Sequence, residues 1–221
     1  MFKVIILRST SDLMRDEYDV LFSLVSLEKQ EHIKQICSFQ DAQNSLIGDV
    51  LARVEICRAT GLNNRQLEFA VNPCGKPFLA NTSQVQFNIS HAGHYVAFVI
   101  SDAPVGIDVE LIKTIDVKIV ERFFMPDEQT YVLSAHDDVL YEHFFEVWTK
   151  KESRVKYEGK SLLESLSSFS VLNPRTQSEI FYHCIYNNGE IIGHVCSSRA
   201  EPPSVKMIDH DILLQYARSL K

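Results

Sequence analysis

Two separated stretches restrict what this chain can fold into: Gly106-Ile107-Asp108-Val109-Glu110 and Trp148-Thr149-Lys150-Lys151-Glu152-Ser153-Arg154-Val155-Lys156. The first reads as a strand, where side chains alternate faces, so Asp108 and Glu110 project to one side and Ile107 and Val109 to the other. The second reads as a helix, where Glu152 and Lys156 are four apart and share a face. A strand carboxylate pair facing a helical Glu-Lys pair suits Mg²⁺ and a phosphate-rich substrate. Hard oxygens hold the ion and the ammonium meets the remaining negative charge. Each half also has a plainer reading. Taken alone, two acids on one strand face are more often a solvated edge than a metal site. A Glu-before-Lys pair on a surface helix contributes only about 0.2–0.5 kcal/mol.

The pattern around these stretches is mixed. A strand is expected at Phe2 to Leu7, and a mostly polar helix at Asp16 to Gln35. From Asp41 to Ala59 the apolar residues Leu46, Ile47, Val50, Leu51, Val54 and Cys57 recur at three and four, with Gly61 as the stop. Short strands follow at Leu67 to Val71, Val85 to Ile89, Tyr95 to Ser101 and Val105 to Val109, separated by turn residues. Helices are expected at Ile115 to Phe124, at Pro126 to Ser134 and from Val139 to Tyr157, ending at Gly159. Strands return at Phe169 to Leu172, Ile180 to Tyr186, Ile191 to Cys196 and Val205 to Ile208, before a short helix from Asp211. This order predicts an α+β protein with a mostly antiparallel sheet rather than a doubly wound one.

Composition removes several function classes. A net charge of −7 argues against nonspecific nucleic-acid binding, which needs a basic surplus. Cys37, Cys57, Cys74, Cys184 and Cys196 are scattered with no Cys-x-x-Cys pair, as expected in a reducing cytosol. The Phe2 to Leu7 run is too short for a secretory core, and nothing approaches the ~20 apolar residues of a membrane span. A cytoplasmic protein with no membrane partner is expected. No G-x-x-x-x-G-K-[ST] loop is present, which disfavours a nucleoside triphosphatase. His91 and His94 have the spacing of a transition-metal pair, but no third ligand is grouped with them.

A third motif, Phe87-Asn88-Ile89-Ser90-His91-Ala92-Gly93, precedes the two stretches. The set, with Arg122-Phe123-Phe124, Glu128, Phe145 to Gly159, Phe169-Ser170-Val171 and Gly75-Lys76-Pro77, resembles the 4′-phosphopantetheinyl transferases. The likeness is to the larger bacterial, Sfp-like type that activates peptide synthetases. It runs over roughly residues 20 to 172. It implies a pseudo-dimer of two similar lobes meeting near Pro104, residues 1–104 and 105–221, with the second carrying the metal ligands and the active site lying between them. It implies that phosphopantetheine passes from coenzyme A to a serine of an apo carrier protein (peptidyl, acyl or aryl), releasing 3′,5′-ADP. Asp108, Glu110 and Glu152 match the family's Mg²⁺ ligands, and Lys156 a lysine that neutralises the departing phosphate. Glu152 is the first candidate for the base that takes the serine proton and Glu128 the second, although Glu128 also suits the first turn of a helix. Lys29, Ser45, Lys76, Ser90, His91 and Lys156 match coenzyme A contacts. Asn44 stands where the family often has arginine and His32 where a second lysine is common, so less positive charge is expected near the 3′-phosphate. Phe78, Leu79, Phe123 and Phe124 are apolar candidates for carrier docking. A monomer is expected, since a pseudo-dimer supplies both sides of the site. The alternative from another class is a non-catalytic module that binds coenzyme A or a carrier on the same scaffold.

Overall fold

A computed structural model describes residues 1–161, 165–172 and 179–220. It is an α+β structure in four layers, helix, sheet, sheet, helix, and alternation along the central strands shows why. In β1 (Phe2–Arg8), Ile5 and Leu7 face one core and Val4 and Ile6 another. In β5 (Tyr95–Ser101), Val96, Phe98 and Ile100 likewise face away from Tyr95, Ala97 and Val99. A strand buried on both faces needs a layer on each side. One side is covered by the 22-residue helix α3 (Phe39–Thr60), capped by Ser38 and ended by Gly61 in the left-handed conformation. The other is covered by the second sheet.

The first sheet has the order β4-β5-β1-β9, with β4 spanning Gln86–Ala92 and β9 spanning Ser204–Ile208. The second has the order β6-β8-β7, with β6 at Val105–Leu111, β7 at Phe181–Asn187 and β8 at Ile191–Ser197. Val105, Ile107, Val109 and Val195 meet the inner face of the first sheet. The opposite face of β6 and β8 is covered by α6 (Asp137–Glu158), again 22 residues and again ended by a left-handed glycine, Gly159. A two-stranded hairpin, β2 (Phe69–Val71) and β3 (Pro77–Leu79), completes the strands. The ladders are antiparallel except that β1 and β9 run parallel. Residues from beyond Pro104 therefore return to the first sheet as β9. The helix α7 (His210–Arg218) then packs on α1 (Arg15–Phe22) and α3.

Three expectations change. The helix foreseen over Asp16 to Gln35 is two helices, α1 and α2 (Leu27–Lys34). Ser26 caps the second by accepting from the Lys29 amide, and the break turns Leu24 and Val25 inward, at 7% and 5% exposure. The helix expected from Ile115 starts only at Lys118 (α4, Lys118–Phe123), because Asp116 takes the Lys118 and Ile119 amides on its side chain and carbonyl. No strand forms at Phe169 to Leu172. The Val171 amide is held by Glu128 and the Leu172 amide by Ser170 Oγ, so these donors are not free for a ladder.

Candidate metal and phosphate site

Strand β6 continues to Leu111, so Asp108 and Glu110 lie in regular strand and point towards α6. Opposite them, one turn apart on α6, stand Glu152 and Lys156. Asp108, Glu110 and Glu152 each offer an oxygen, all within 4.8 Å of one another. The helix comes this close because Gly106 has no side chain. A Cβ there would meet the Ser153 carbonyl oxygen at 2.1 Å and the Tyr157 amide at 2.3 Å. Backbone thus lies on backbone beside the carboxylates.

The charges are unbalanced. Asp108 and Glu152 are buried, and Glu110 is half-buried. Burial and the neighbouring Asp108 charge push Glu152 up to about 8 and Glu110 up to about 7. Lys156 is the cation that faces them, its Nζ 2.5 Å from Asp108 Oδ1 and 3.7 Å from Glu152 Oε2. Burial works against its ammonium, but Asp108 and Glu152 hold its pKa above the usual lysine value. Asp108 Oδ2 is buried and accepts no hydrogen bond among the described residues. An orphaned carboxylate oxygen, two carboxyls with raised pKa and an all-oxygen donor set fit a hard divalent cation. These three residues would hold it.

Ser90 and His91 lie on β4 and, being adjacent, face opposite ways. Ser90 Oγ donates to Asp108 Oδ1 at 2.9 Å and accepts from Lys156 Nζ at 3.2 Å. His91 reaches solvent on the α3 side. Crowding by neighbouring atoms lowers its pKa, Asp41 opposes this, and Lys156 and Lys29 lower it further. Lys29 Nζ donates to Ser45 Oγ at 2.9 Å, its pKa lowered by burial. Lys29, the neutral imidazole of His91 and Lys156 thus lie in sequence from α2 to the carboxylates, each lysine close enough to act on His91.

Other candidates are engaged elsewhere. Lys76 Nζ donates to the Val105 carbonyl at 2.9 Å and lies 3.5 Å from that of Tyr157, and burial brings its pKa down to about 8. It fastens the β2–β3 turn to the base of β6 and the end of α6. Glu128 is fully buried in α5 (Pro126–Leu133), where its carboxylate accepts from Lys151 Nζ at 2.6 Å and from the Met125 and Val171 amides at 2.8 Å. The structure does not bring it into the carboxylate group. Asn44 donates to the Gly93 carbonyl at 2.9 Å, bracing the β4–β5 turn, and His32 is exposed. Of the apolar docking candidates, Phe78 is exposed, Phe123 half-buried, and Leu79 and Phe124 buried.

Sequence reasoning gave no role to Asn88, Lys151, Thr149 or His194. Thr149 Oγ1 donates to the Phe145 carbonyl at 2.7 Å and is hydrogen-bonded to His194 Nδ1 at 2.8 Å, across the α6–β8 contact. Burial takes His194 down to about 3. Only the strand register, which sets His194 directly opposite Asp108, could have singled it out.

The sequence is similar to that of known proteins. A family model described as "4′-phosphopantetheinyl transferase, N-terminal" matches residues 12–103. A second, described as the 4′-phosphopantetheinyl transferase superfamily, matches residues 104–208. The chain is 37% identical to the 4′-phosphopantetheinyl transferase ffp of Bacillus subtilis over 213 residues, 91% of this chain and 95% of the relative. It is 35% identical to gsp of Aneurinibacillus migulanus, covering 82% and 76% of the two chains. It is 36% identical to Sfp of Bacillus subtilis strain 168, covering 72% and 71%.

Proposed function

The chain belongs to the 4′-phosphopantetheinyl transferase superfamily, and from that premise we propose that it moves phosphopantetheine from coenzyme A to a serine of an apo carrier protein, with Mg²⁺ held by Asp108, Glu110 and Glu152. The observation that carries the reading is the set of three converging carboxylates with Lys156 as their paired cation, Asp108 Oδ2 being buried and without a partner among the described residues.

The serine Oγ attacks the β-phosphorus and the bond from that phosphorus to the bridging oxygen breaks. Pantetheine stays on the serine through a phosphodiester, and 3′,5′-ADP leaves with the electron pair. Bound Mg²⁺ would draw charge from the pyrophosphate oxygens. Lys156 stands beside the same acids and neutralises charge growing on the leaving phosphate. Glu152, ionised once the cation is bound and placed beside Lys156, takes the serine proton directly or through a water. Glu128 is better read as the buried partner of Lys151 than as a second base. Lys29 supplies a positive charge, and Ser45 and His91 polar groups beside it, for the nucleotide end of coenzyme A, and Ser90 holds Asp108 and Lys156 in register. Lys76 serves the same substrate either directly or by bracing the lobe junction.

Similarity to the Sfp and gsp enzymes makes peptidyl carrier domains the first substrates to test. Both sides of the site come from one chain, which supports a functional monomer. No helix among the described residues is long and apolar enough to cross a membrane, in keeping with a cytoplasmic site of action.

The test is intact mass measurement of an apo peptidyl carrier incubated with this protein, coenzyme A and Mg²⁺, with and without EDTA. Addition of one phosphopantetheine that EDTA abolishes is the expected result. Stoichiometric binding with no mass change, across peptidyl and fatty-acid carriers, overturns the reading in favour of a non-catalytic module.

A further inference from the structure

Strand β4 is the outer strand of the first sheet and β6 the outer strand of the second, and the two run side by side without a backbone ladder. Side chains do the joining. Asn88 Oδ1 accepts from the Ile107 amide at 3.0 Å, and Ser90 Oγ accepts from the Val109 amide at 3.4 Å. Both acceptors are buried, at 4% and 7% exposure. The spacing is two residues on each strand, and the two fastened amides flank Asp108. The ladder to β8 holds one edge of β6, and these two bonds hold the other, so that together they set how far Asp108 and Glu110 stand along α6 and whether their oxygens meet those of Glu152.

We propose that Asn88 is a positioning residue for phosphopantetheinyl transfer: its side-chain oxygen takes the place of a strand partner across the lobe seam and sets the register of β6, bringing Asp108 and Glu110 to Glu152. This rests on the transferase reading above. Ser90 performs the same task at Val109, but it also bonds Asp108 and Lys156, so its removal disturbs several contacts at once. Asn88 bonds only the backbone of β6 in this seam, which makes it the cleaner probe. A buried backbone amide that loses its acceptor costs about 1–3 kcal/mol, enough to let a strand shift in search of a partner. Residues that orient metal ligands from behind typically change metal affinity by about 10–100-fold.

The experiment uses the full chain and Asn88→Ala, with Asn88→Asp as the variant that keeps an acceptor at the same reach. Mn²⁺ binding is followed by electron paramagnetic resonance without coenzyme A or carrier. Hydrogen exchange of the Ile107 amide, kcat and the KM for coenzyme A are measured alongside. In Asn88→Ala the Mn²⁺ dissociation constant is expected to rise about tenfold or more. Ile107 exchange quickens and kcat falls, while KM for coenzyme A stays within about twofold. Asn88→Asp recovers Ile107 protection and most of kcat. If Asn88→Ala does not fold, Asn88→Ser, whose hydroxyl sits one atom nearer β4, carries the same measurements. An Asn88→Ala or Asn88→Ser protein that melts earlier yet binds Mn²⁺ and turns over like the wild type overturns the proposal while leaving the transferase reading intact. A wild-type protein that neither binds Mn²⁺ nor modifies a carrier overturns both.

Discussion

The helices α3 and α6 have the same length, the same left-handed glycine stop and the same place over a sheet, but they treat charge differently. On α3 the buried Arg53 pairs with Asp49, and the buried Glu55 pairs with Lys3 and Arg58. The buried amides of Gln43 and Asn44 reach the Leu13 amide and the Gly93 carbonyl. On α6 the buried Lys151 is paired with Glu128, but Glu152 is set against Asp108 and Glu110, with Lys156 paired to two of the three acids and Lys113 acting only on Glu110 from a distance. Two similar lobes thus differ in that one pairs its buried charges internally and the other leaves a negative surplus, where the cation is proposed to bind. The surplus disfavours the metal-free fold, and perturbed carboxyls of this kind cluster at functional sites.

The comparison can be broken most directly at Glu152. Glu152→Gln should lower transfer by about 10²–10⁴-fold, through loss of ligand and base together. Because it also removes repulsion among buried acids, its metal-free melting temperature above pH 8 should exceed that of the wild type. Wild-type transfer rates in this variant would remove Glu152 from the chemistry. Lys151→Met addresses the balanced part of the same helix. It strands Glu128 in the core and should cost about 3–5 kcal/mol in denaturant unfolding. A loss of only a few tenths would mean that the pair is not closed to water.

Gly106→Ala tests the approach of helix to strand. The added methyl would overlap the Ser153 carbonyl, so α6 must retreat, at about 1–3 kcal/mol in stability and on the order of 100-fold in transfer. Unchanged kinetics would show that the backbone contact does not set the site. The smallest effect concerns pH. The raised pKa values of Glu110 and Glu152 mean that protons must leave before a cation enters, so Mg²⁺ or Mn²⁺ affinity should fall as pH drops below about 8, roughly tenfold per unit for each proton displaced. Metal-free stability runs the other way: the contribution of these two carboxyls is present at acid pH and is lost as pH rises through about 7 to 8. His194 has the opposite slope, since its lowered pKa gives stability present above its ordinary value and lost as pH falls towards 3. Titration of the metal-free protein by thermal melting reads all three.

Much of the site was legible because it is local. Alternation placed Asp108 beside Glu110, the helical repeat placed Glu152 beside Lys156, and the structure brings the three acids together. What escaped depends on partners far along the chain. Nothing near Lys151 announces that its ammonium will meet Glu128, 23 residues earlier, or that Asn88 will serve an amide 19 residues later. The three-residue strand β3 is too short for any period to show, and the polar run Asp16 to Gln35 conceals a break whose cause is the burial of Leu24 and Val25. The return of β9 to β1 has no local signal either, since a parallel partner is chosen by the whole fold.

That return has a consequence in time. Of the strands, β1 leaves the ribosome first and β9 last, about two hundred residues later, which at ~5–20 residues per second is roughly ten to forty seconds. Throughout that interval the edge of β1 that β9 will cover has no partner, next to apolar Ile5, Ile6 and Leu7. Parallel pairing across so long a separation is slow to form. The nascent chain therefore carries an open, sticky edge for most of its synthesis, and the first sheet is finished only when the final strand has emerged.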